Sequence, residues 1–298
     1  MTEVGQQCTE IKLSVPWGHV AAKTYGSSAG KPVLVVHGRL DNAGSFSRLM
    51  KYLPNELFYY VCIDLPGHGW SSHFPSWMML DITDFVHALY FILEALQWET
   101  CIYIGHSFGA QIGLMFSVIH PNRIRKLIAL DGILMNFYEV DQVKYFNKSS
   151  TFSIKAGRDE KPLSFNKEEV LHALKFMRIA TLNSEAAEAM FEHAVTKVNG
   201  RYIYNRDIRL KNHTLSYMDL KIFQKFNNNL SIPIYLFLSS NGIVLQYKEH
   251  ESVLEIMKSK TMLEITYVDG DHDAHNNNPE KVAPFICKIL NSNNSSKL

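Results

Sequence analysis

Residues 105–109, Gly105-His106-Ser107-Phe108-Gly109, decide the fold. An apolar run, 100–104, leads into them and a second apolar stretch, 108–119, leads away. The first reads as a strand and the second as a helix, so the serine stands at the apex of a sharp turn between them. G-x-S-x-G in that setting is a nucleophile elbow. The glycines have a steric cause, because a side chain at either flanking position would collide with the neighbouring strand or helix. The turn lifts the Ser107 hydroxyl clear of the sheet. It also puts the next backbone N–H, that of Phe108, at a helix N-terminus where a developing oxyanion would sit.

The same alternation extends on both sides of the elbow. Residues 10–15 and 19–25 alternate around Pro16-Trp17-Gly18 and read as a hairpin. Residues 32–37, Pro-Val-Leu-Val-Val-His, are continuously apolar up to the histidine, the mark of a strand buried on both faces. Residues 59–64, 100–105 and 126–131 share that character, and helical patterns fall between them at 46–53, 80–96 and 108–119. Buried strands alternating with helices predict an α/β, doubly wound, mostly parallel sheet. The alternation stops after residue 135. Residues 136–229 are rich in Lys, Glu, Asn and helix formers, with helices expected at 167–180 and 184–196, so this insertion reads as a helical cap following the sixth strand. Alternation resumes at 230–290, with a strand at 234–239, a helix at 246–257, a strand at 262–268 and a helix at 280–290. The expected organisation is a core in two parts, 1–135 and 230–290, a cap at 136–229 and a polar tail at 291–298. A cap inserted there lies over the carboxyl ends of the strands, where ligands bind, and acts as a lid that excludes water.

Composition narrows the classes further. With 298 residues, 46% hydrophobic and 20% charged, the chain can bury a large core plus one insertion. Its 30 basic and 29 acidic residues leave a net charge of +1, which offers no electrostatic footprint for nucleic acid or a strongly acidic partner. No apolar run approaches the length of a membrane span, and the polar start (Met1-Thr2-Glu3-Val4) has no secretory h-region. The four cysteines are scattered without metal-ligand spacing, and Cys62 and Cys101 fall in strand-like runs where buried free thiols are expected. Ser296-Lys297-Leu298 closes the sequence as the S-K-L peroxisomal address, so the expected partner is the peroxisomal import receptor, with the cytoplasm as the alternative location.

The order of four motifs resembles the α/β-hydrolase superfamily: His37-Gly38 after a strand, Asp64-Leu65-Pro66-Gly67-His68-Gly69 after the next, the elbow, and Gly270-Asp271-His272 after the last strand. The likeness covers 10–135 and 230–290. More narrowly, Val15-Pro16-Trp17-Gly18-His19, Leu40-Asp41-Asn42-Ala43 and Asn205-Arg206-Asp207 resemble the serine hydrolase-like proteins of animals, which implies a peroxisomal hydrolase.

That resemblance implies roles. Ser107 is the nucleophile; relatives with aspartate there open epoxides or displace halide, whereas serine fits acyl transfer. His272 is the general base, preferred over His275 by its place in the family pattern, and an imidazole titrates near neutrality. His272 and His275 could also form an H-x-x-H metal pair, but no third ligand is evident, so no metal and no cofactor are expected. Many relatives carry the acid after the seventh strand, yet residues 237–244 contain no carboxylate. The family's second solution places it after the sixth strand, which is Asp131, keeping the order Ser107, Asp131, His272. Asn241 could orient an imidazole but carries no charge. Asp64 and Asp41 are expected to brace their own loops, and His87, His172, His193 and His250 to be solvated. The oxyanion hole uses the N–H groups of Phe108 and Arg39. An aromatic residue is expected at position 39, and the guanidinium there either recruits an anion or points to solvent. His37, His106, Phe137 and Tyr138 are candidates for the substrate pocket, with Phe176, Met177, Met190 and Phe191 as further apolar groups from the cap.

The expected function is hydrolysis of an ester or thioester of a small or lipid-derived substrate through a Ser-His-Asp triad and an acyl-enzyme. Two alternatives remain open on these residues: a carbon–carbon bond hydrolase on the same triad, and a ligand-binding or receptor-type relative with little turnover.

Overall fold

The computed structural model describes residues 7–133, 141–156, 162–212 and 220–292. The strands are β1 (Cys8–Val15), β2 (Gly18–Tyr25), β3 (Lys31–Val36), β4 (Phe58–Ile63), β5 (Cys101–His106), β6 (Ile124–Leu130), β7 (Val195–Val198), β8 (Arg201–Tyr204), β9 (Ile234–Asn241) and β10 (Leu263–Asp271). The helices are α1 (Ser47–Met50), α2 (Ile82–Ala95), α3 (Phe108–Ile119), α4 (Gln142–Ala156), α5 (Lys167–Phe176), α6 (Ser184–Ala194), α7 (Leu220–Asn227), α8 (His250–Lys260), α9 (Ala274–Asn277) and α10 (Pro279–Asn291).

Eight strands form one sheet in the order β1-β2-β4-β3-β5-β6-β9-β10. Only the β1–β2 and β2–β4 pairings are antiparallel. The remaining neighbours run parallel, as expected for strands linked by helical crossovers. Alternation along β3 shows why the sheet is wound on both faces. Leu34 and Val36 pack with α2, α3 and α8, while Val33 and Val35 pack with α1 and α10. Helix α2 starts in a capping box, with Asp81 accepting from Thr83 N and Asp84 accepting from Asp81 N, and it buries Phe85, Leu89, Ile92 and Leu93. Each such side chain contributes about 1.5–3 kcal/mol on burial. The helix expected at 46–53 is a single short turn, α1, behind the 3-10 turn Ala43–Phe46. Cys62 and Cys101 are buried free thiols, as expected. No described helix is long and apolar enough to cross a membrane. Phe137, Tyr138, Ser296, Lys297 and Leu298 lie outside the described residues.

The insertion is not helical throughout. The helix expected at 184–196 ends at Ala194, and β7 and β8 form an antiparallel hairpin. Its turn is Asn199-Gly200, both at positive φ (49° and 81°), the backbone that favours this dipeptide in two-residue hairpin loops. A small core of Val170, Leu174, Leu182 and Met190 holds α5, α6 and the hairpin together.

His193, expected in solvent, is fully buried and ties this cap to the core. Its Nδ1 lies 2.7 Å from Asp64 Oδ2, its Nε2 lies 3.1 Å from Glu10 Oε1, and its ring stacks on Trp70 at 4.0 Å. Burial opposes charging of the imidazole, but the hydrogen bond and charge of Asp64 and the bond to Glu10 outweigh it, so the pKa is raised. A folded value above the unfolded one stabilises fully below the unfolded pKa, and the contribution is lost as pH rises through the raised value. We therefore expect His193→Gln to lower the urea midpoint most at about pH 5.5 and the difference to shrink towards about pH 9, where only the ring's neutral contacts remain. A midpoint difference that grows with pH would contradict this ion pair.

Candidate active site

Strand β5 delivers Ser107 to the carboxyl edge of the sheet, and α3 carries the chain away. Ser107 has φ 50° and ψ −115°, a left-handed conformation costing about 1–3 kcal/mol for a non-glycine residue. The turn closes only because its neighbours lack side chains. A Cβ on Gly105 would stand 2.6 Å from Ala110 N, and one on Gly109 would stand 2.3 Å from Val36 O. Ser107 N donates to Leu130 O at 3.0 Å, so the end of β6 braces the elbow. Gly132 passes so close that a Cβ there would meet Ser107 O at 2.4 Å.

Asp131 leaves β6 with φ 43°, and its N–H donates to Phe237 O at 2.8 Å. The end of β9 and the loop after it, which have no carboxylate of their own, supply donors instead. Ile243 N donates to Asp131 Oδ2 at 2.9 Å and Ser239 N to Oδ1 at 3.4 Å. A Cβ on Gly242 would lie 2.3 Å from Oδ1, so only glycine lets this loop wrap the acid. His272 follows β10, and its Nδ1 lies 2.6 Å from Asp131 Oδ2. A carboxylate can only accept, so Nδ1 carries the proton and Nε2 keeps its lone pair. Burial opposes protonation of His272, but the hydrogen bond to Asp131 and the charges of Asp273, Asp131 and Asp41 overcome it and raise its pKa. Asn241 is exposed and pairs with Asp271 across the sheet edge instead.

Ser107 and His272 share the wall of one cavity of about 1130 Å³, which also includes Gly38, Arg39, His106 and Phe108. Phe108 opens α3, where the first N–H groups have no intrahelical acceptor. The side chain of Arg39 does not turn to solvent. Its Nη1 donates to Leu210 O of the cap at 3.0 Å, and burial lowers its pKa. From the cap, Leu163, Met177, Ile179, Ile203 and Tyr204 supply apolar wall.

Several expectations are corrected. His37 does not reach the cavity. It is wholly buried, with Nδ1 against Gly38 O at 2.7 Å and Nε2 accepting from Leu65 N at 3.0 Å, so it braces the loop after β3. His106 reaches the wall, but its Nε2 is held 2.9 Å from His272 O, which positions His272. Of the cap groups expected there, Met177 lines the cavity, Met190 is buried in the cap core, and Phe176 is exposed. Asp41 does not bond its own turn. It takes Arg178 Nη1 at 2.9 Å, and Arg178 Nη2 also reaches Asp273 Oδ1 at 2.7 Å. This cap-to-core bridge beside His272 was missed. A lone arginine in Phe176-Met177-Arg178-Ile179 carries no local signal, though an aspartate directly after His272, Asp273, is one. Asp64 does fix its loop, accepting from Ala43 N at 2.7 Å and Trp70 N at 2.8 Å.

The model of the alpha/beta hydrolase fold family matches residues 31–275. This chain belongs to that family. It is 33% identical over 297 residues to human "Serine hydrolase-like protein 2", covering 95% of this chain and 94% of the relative. It is 30% identical over 306 residues to the "Serine hydrolase-like protein" of Danio rerio, covering 97% and 90%. A crystal structure of a hypothetical protein from Pseudomonas aeruginosa PAO1 superposes with a TM-score of 0.83 at 26% identity, covering 94% of this chain and 97% of that one. The α/β-hydrolase chain thus resembles animal serine hydrolase-like proteins over nearly its whole length.

The steric origin of the elbow is open to test. In Gly109→Ala the added methyl must displace β3 backbone, so unfolding free energy should fall by about 1–3 kcal/mol. An unchanged denaturant midpoint would show that the turn is not closed by this approach.

Proposed function

We propose that this α/β-hydrolase cleaves carboxylic esters or thioesters through Ser107, His272 and Asp131. The observation that carries this reading is the 2.6 Å bond from His272 Nδ1 to Asp131, with His272 and Ser107 on one cavity. His272 Nε2 takes the Ser107 proton as Oγ attacks the carbonyl carbon. The C–O or C–S bond then breaks, and the leaving alcohol or thiol takes that proton from His272. Water, activated by the same Nε2, attacks the acyl-enzyme, releasing the acid and restoring Ser107. The N–H groups of Phe108 and Arg39 would hold the oxyanion of each tetrahedral intermediate. Asp131 keeps the imidazole in the correct tautomer and stabilises its charged form. The apolar cap residues suit an acyl chain, and the Arg178 bridge to Asp41 and Asp273 holds the cap beside His272.

The test is hydrolysis of a panel of p-nitrophenyl esters and acyl thioesters. Ser107→Ala should leave no turnover in a folded protein, and Asp131→Asn should lower kcat by about 10³–10⁴-fold. The base works when neutral, so kcat/KM should fall as pH drops through the raised His272 pKa, above its ordinary 6.5. Turnover that survives Ser107→Ala would remove this serine from the chemistry. A folded wild type that binds esters without cleaving them would favour a receptor-type role.

A further inference from the structure

Next to the base lies a second group of buried side chains that the hydrolytic chemistry does not use. His106 Nδ1, Asp273 Oδ2 and both ring nitrogens of His275 have no hydrogen-bond partner among the described residues. The three side chains come from the end of β5, the residue after His272 and helix α9, and none is more than 2% exposed. One ligand-type atom from each lies within 4.8 Å of the other two. Orphaned buried acceptors cost about 1–3 kcal/mol apiece, so their convergence calls for an explanation.

The hydrogen bonds that these residues do make leave an unused lone pair on each. His106 Nε2 lies 2.9 Å from His272 O, so the His106 proton is on Nε2 and Nδ1 presents a lone pair. Burial, followed by the nearby rings of His275 and His272, holds the His106 pKa well below the usual imidazole range, which keeps Nδ1 unprotonated. Asp273 Oδ1 is taken by Arg178, leaving Oδ2 as a free acceptor. His275 offers one lone pair in either neutral tautomer, and burial lowers its pKa to about 3. Asp41 Oδ2 stands a further 3.9 Å from His106 Nδ1. Two carboxylates, Asp41 and Asp273, share the single Arg178 guanidinium, which leaves negative charge around the three lone pairs.

We propose that His106 Nδ1, Asp273 Oδ2 and His275 form a site for a divalent transition cation of the zinc type. Two imidazoles and one carboxylate are the donor set of borderline metals, and the hard cations magnesium and calcium prefer all-oxygen shells. The His106 bond to the His272 carbonyl is the outer-shell contact that orients a ligating imidazole. The pairing differs from the one the H-x-x-H spacing offers: His272 is engaged by Asp131, and His275 joins His106 and Asp273 instead. Since His106 and Asp273 line the cavity, an ion reaches the site from the substrate side. A cation there opposes the imidazolium on His272 and competes with Arg178 for Asp273. Occupancy therefore inhibits turnover, a consequence that rests on the proposed function, whereas binding itself does not.

The test is zinc binding to metal-free full-length protein by calorimetry, carried out in the Ser107→Ala background so that catalysis plays no part. One zinc per chain should bind saturably. Affinity should weaken by at least about 100-fold in His275→Gln and in Asp273→Asn, since even outer-shell changes cost up to that much. Two variants guard against a folding defect in one, and each is first checked for an unchanged circular dichroism spectrum. No saturable binding to the parent, or affinity unchanged in both folded variants, would overturn the site. The second result would place zinc elsewhere, for instance at Glu10, Glu192 and His193, whose acids are exposed and paired with Lys23.

Discussion

One hydrogen bond, from His272 Nδ1 to Asp131 Oδ2 at 2.6 Å, joins residues 141 positions apart and sets the geometry of everything around it. The carboxylate is buried, and leaving it without donors would cost more than the bond returns. It therefore needs the N–H groups of Ser239, in β9, and of Ile243, in the loop that follows, and that loop approaches only because Gly242 has no side chain. On its other flank Gly132 lets the same turn press against Ser107. Ser107, Asp131 and His272 are thus held together by close approaches that a single added methyl would break.

The cap depends on that core and also completes it. His193 reaches Asp64 and Glu10, Arg178 reaches Asp41 and Asp273, and Arg39 returns a bond to Leu210. Except for Glu10, which lies in β1, these bridges leave from loops that follow strands of the sheet, so the strands that hold the candidate chemistry also hold its cover. The consequence is a half-enclosed cavity in which charges act at low dielectric, where an ion pair beside His272 has more influence than it would in water.

Much of the core was legible because its signals are local. A strand buried on both faces must be apolar throughout, as 32–36 is, and a serine on a glycine-bounded turn between strand and helix has few other readings. Asp131 came from the family resemblance, which implies an acid after the sixth strand where 237–244 offers no carboxylate. The cap was harder. Asn199-Gly200 marks a hairpin by its backbone preference, yet the helix formers before it favoured extending α6 to residue 196. The burial of His193 was missed because its partners lie 129 and 183 residues away, although it continues the buried stripe of α6 formed by Ala186, Ala187 and Met190. Asp41 failed for the same reason: a short polar side chain in a turn looks self-satisfied until the fold brings a distant guanidinium, here Arg178, to it.

The central claim, that Asp131 makes His272 a competent base for Ser107, is tested most directly by fluorophosphonate labelling followed by intact mass. The account predicts one adduct per wild-type chain, none on Ser107→Ala, and labelling of Asp131→Asn slowed by orders of magnitude while Asn241→Ala reacts like wild type. Equal labelling rates for Asp131→Asn and wild type, in folded proteins, would contradict it.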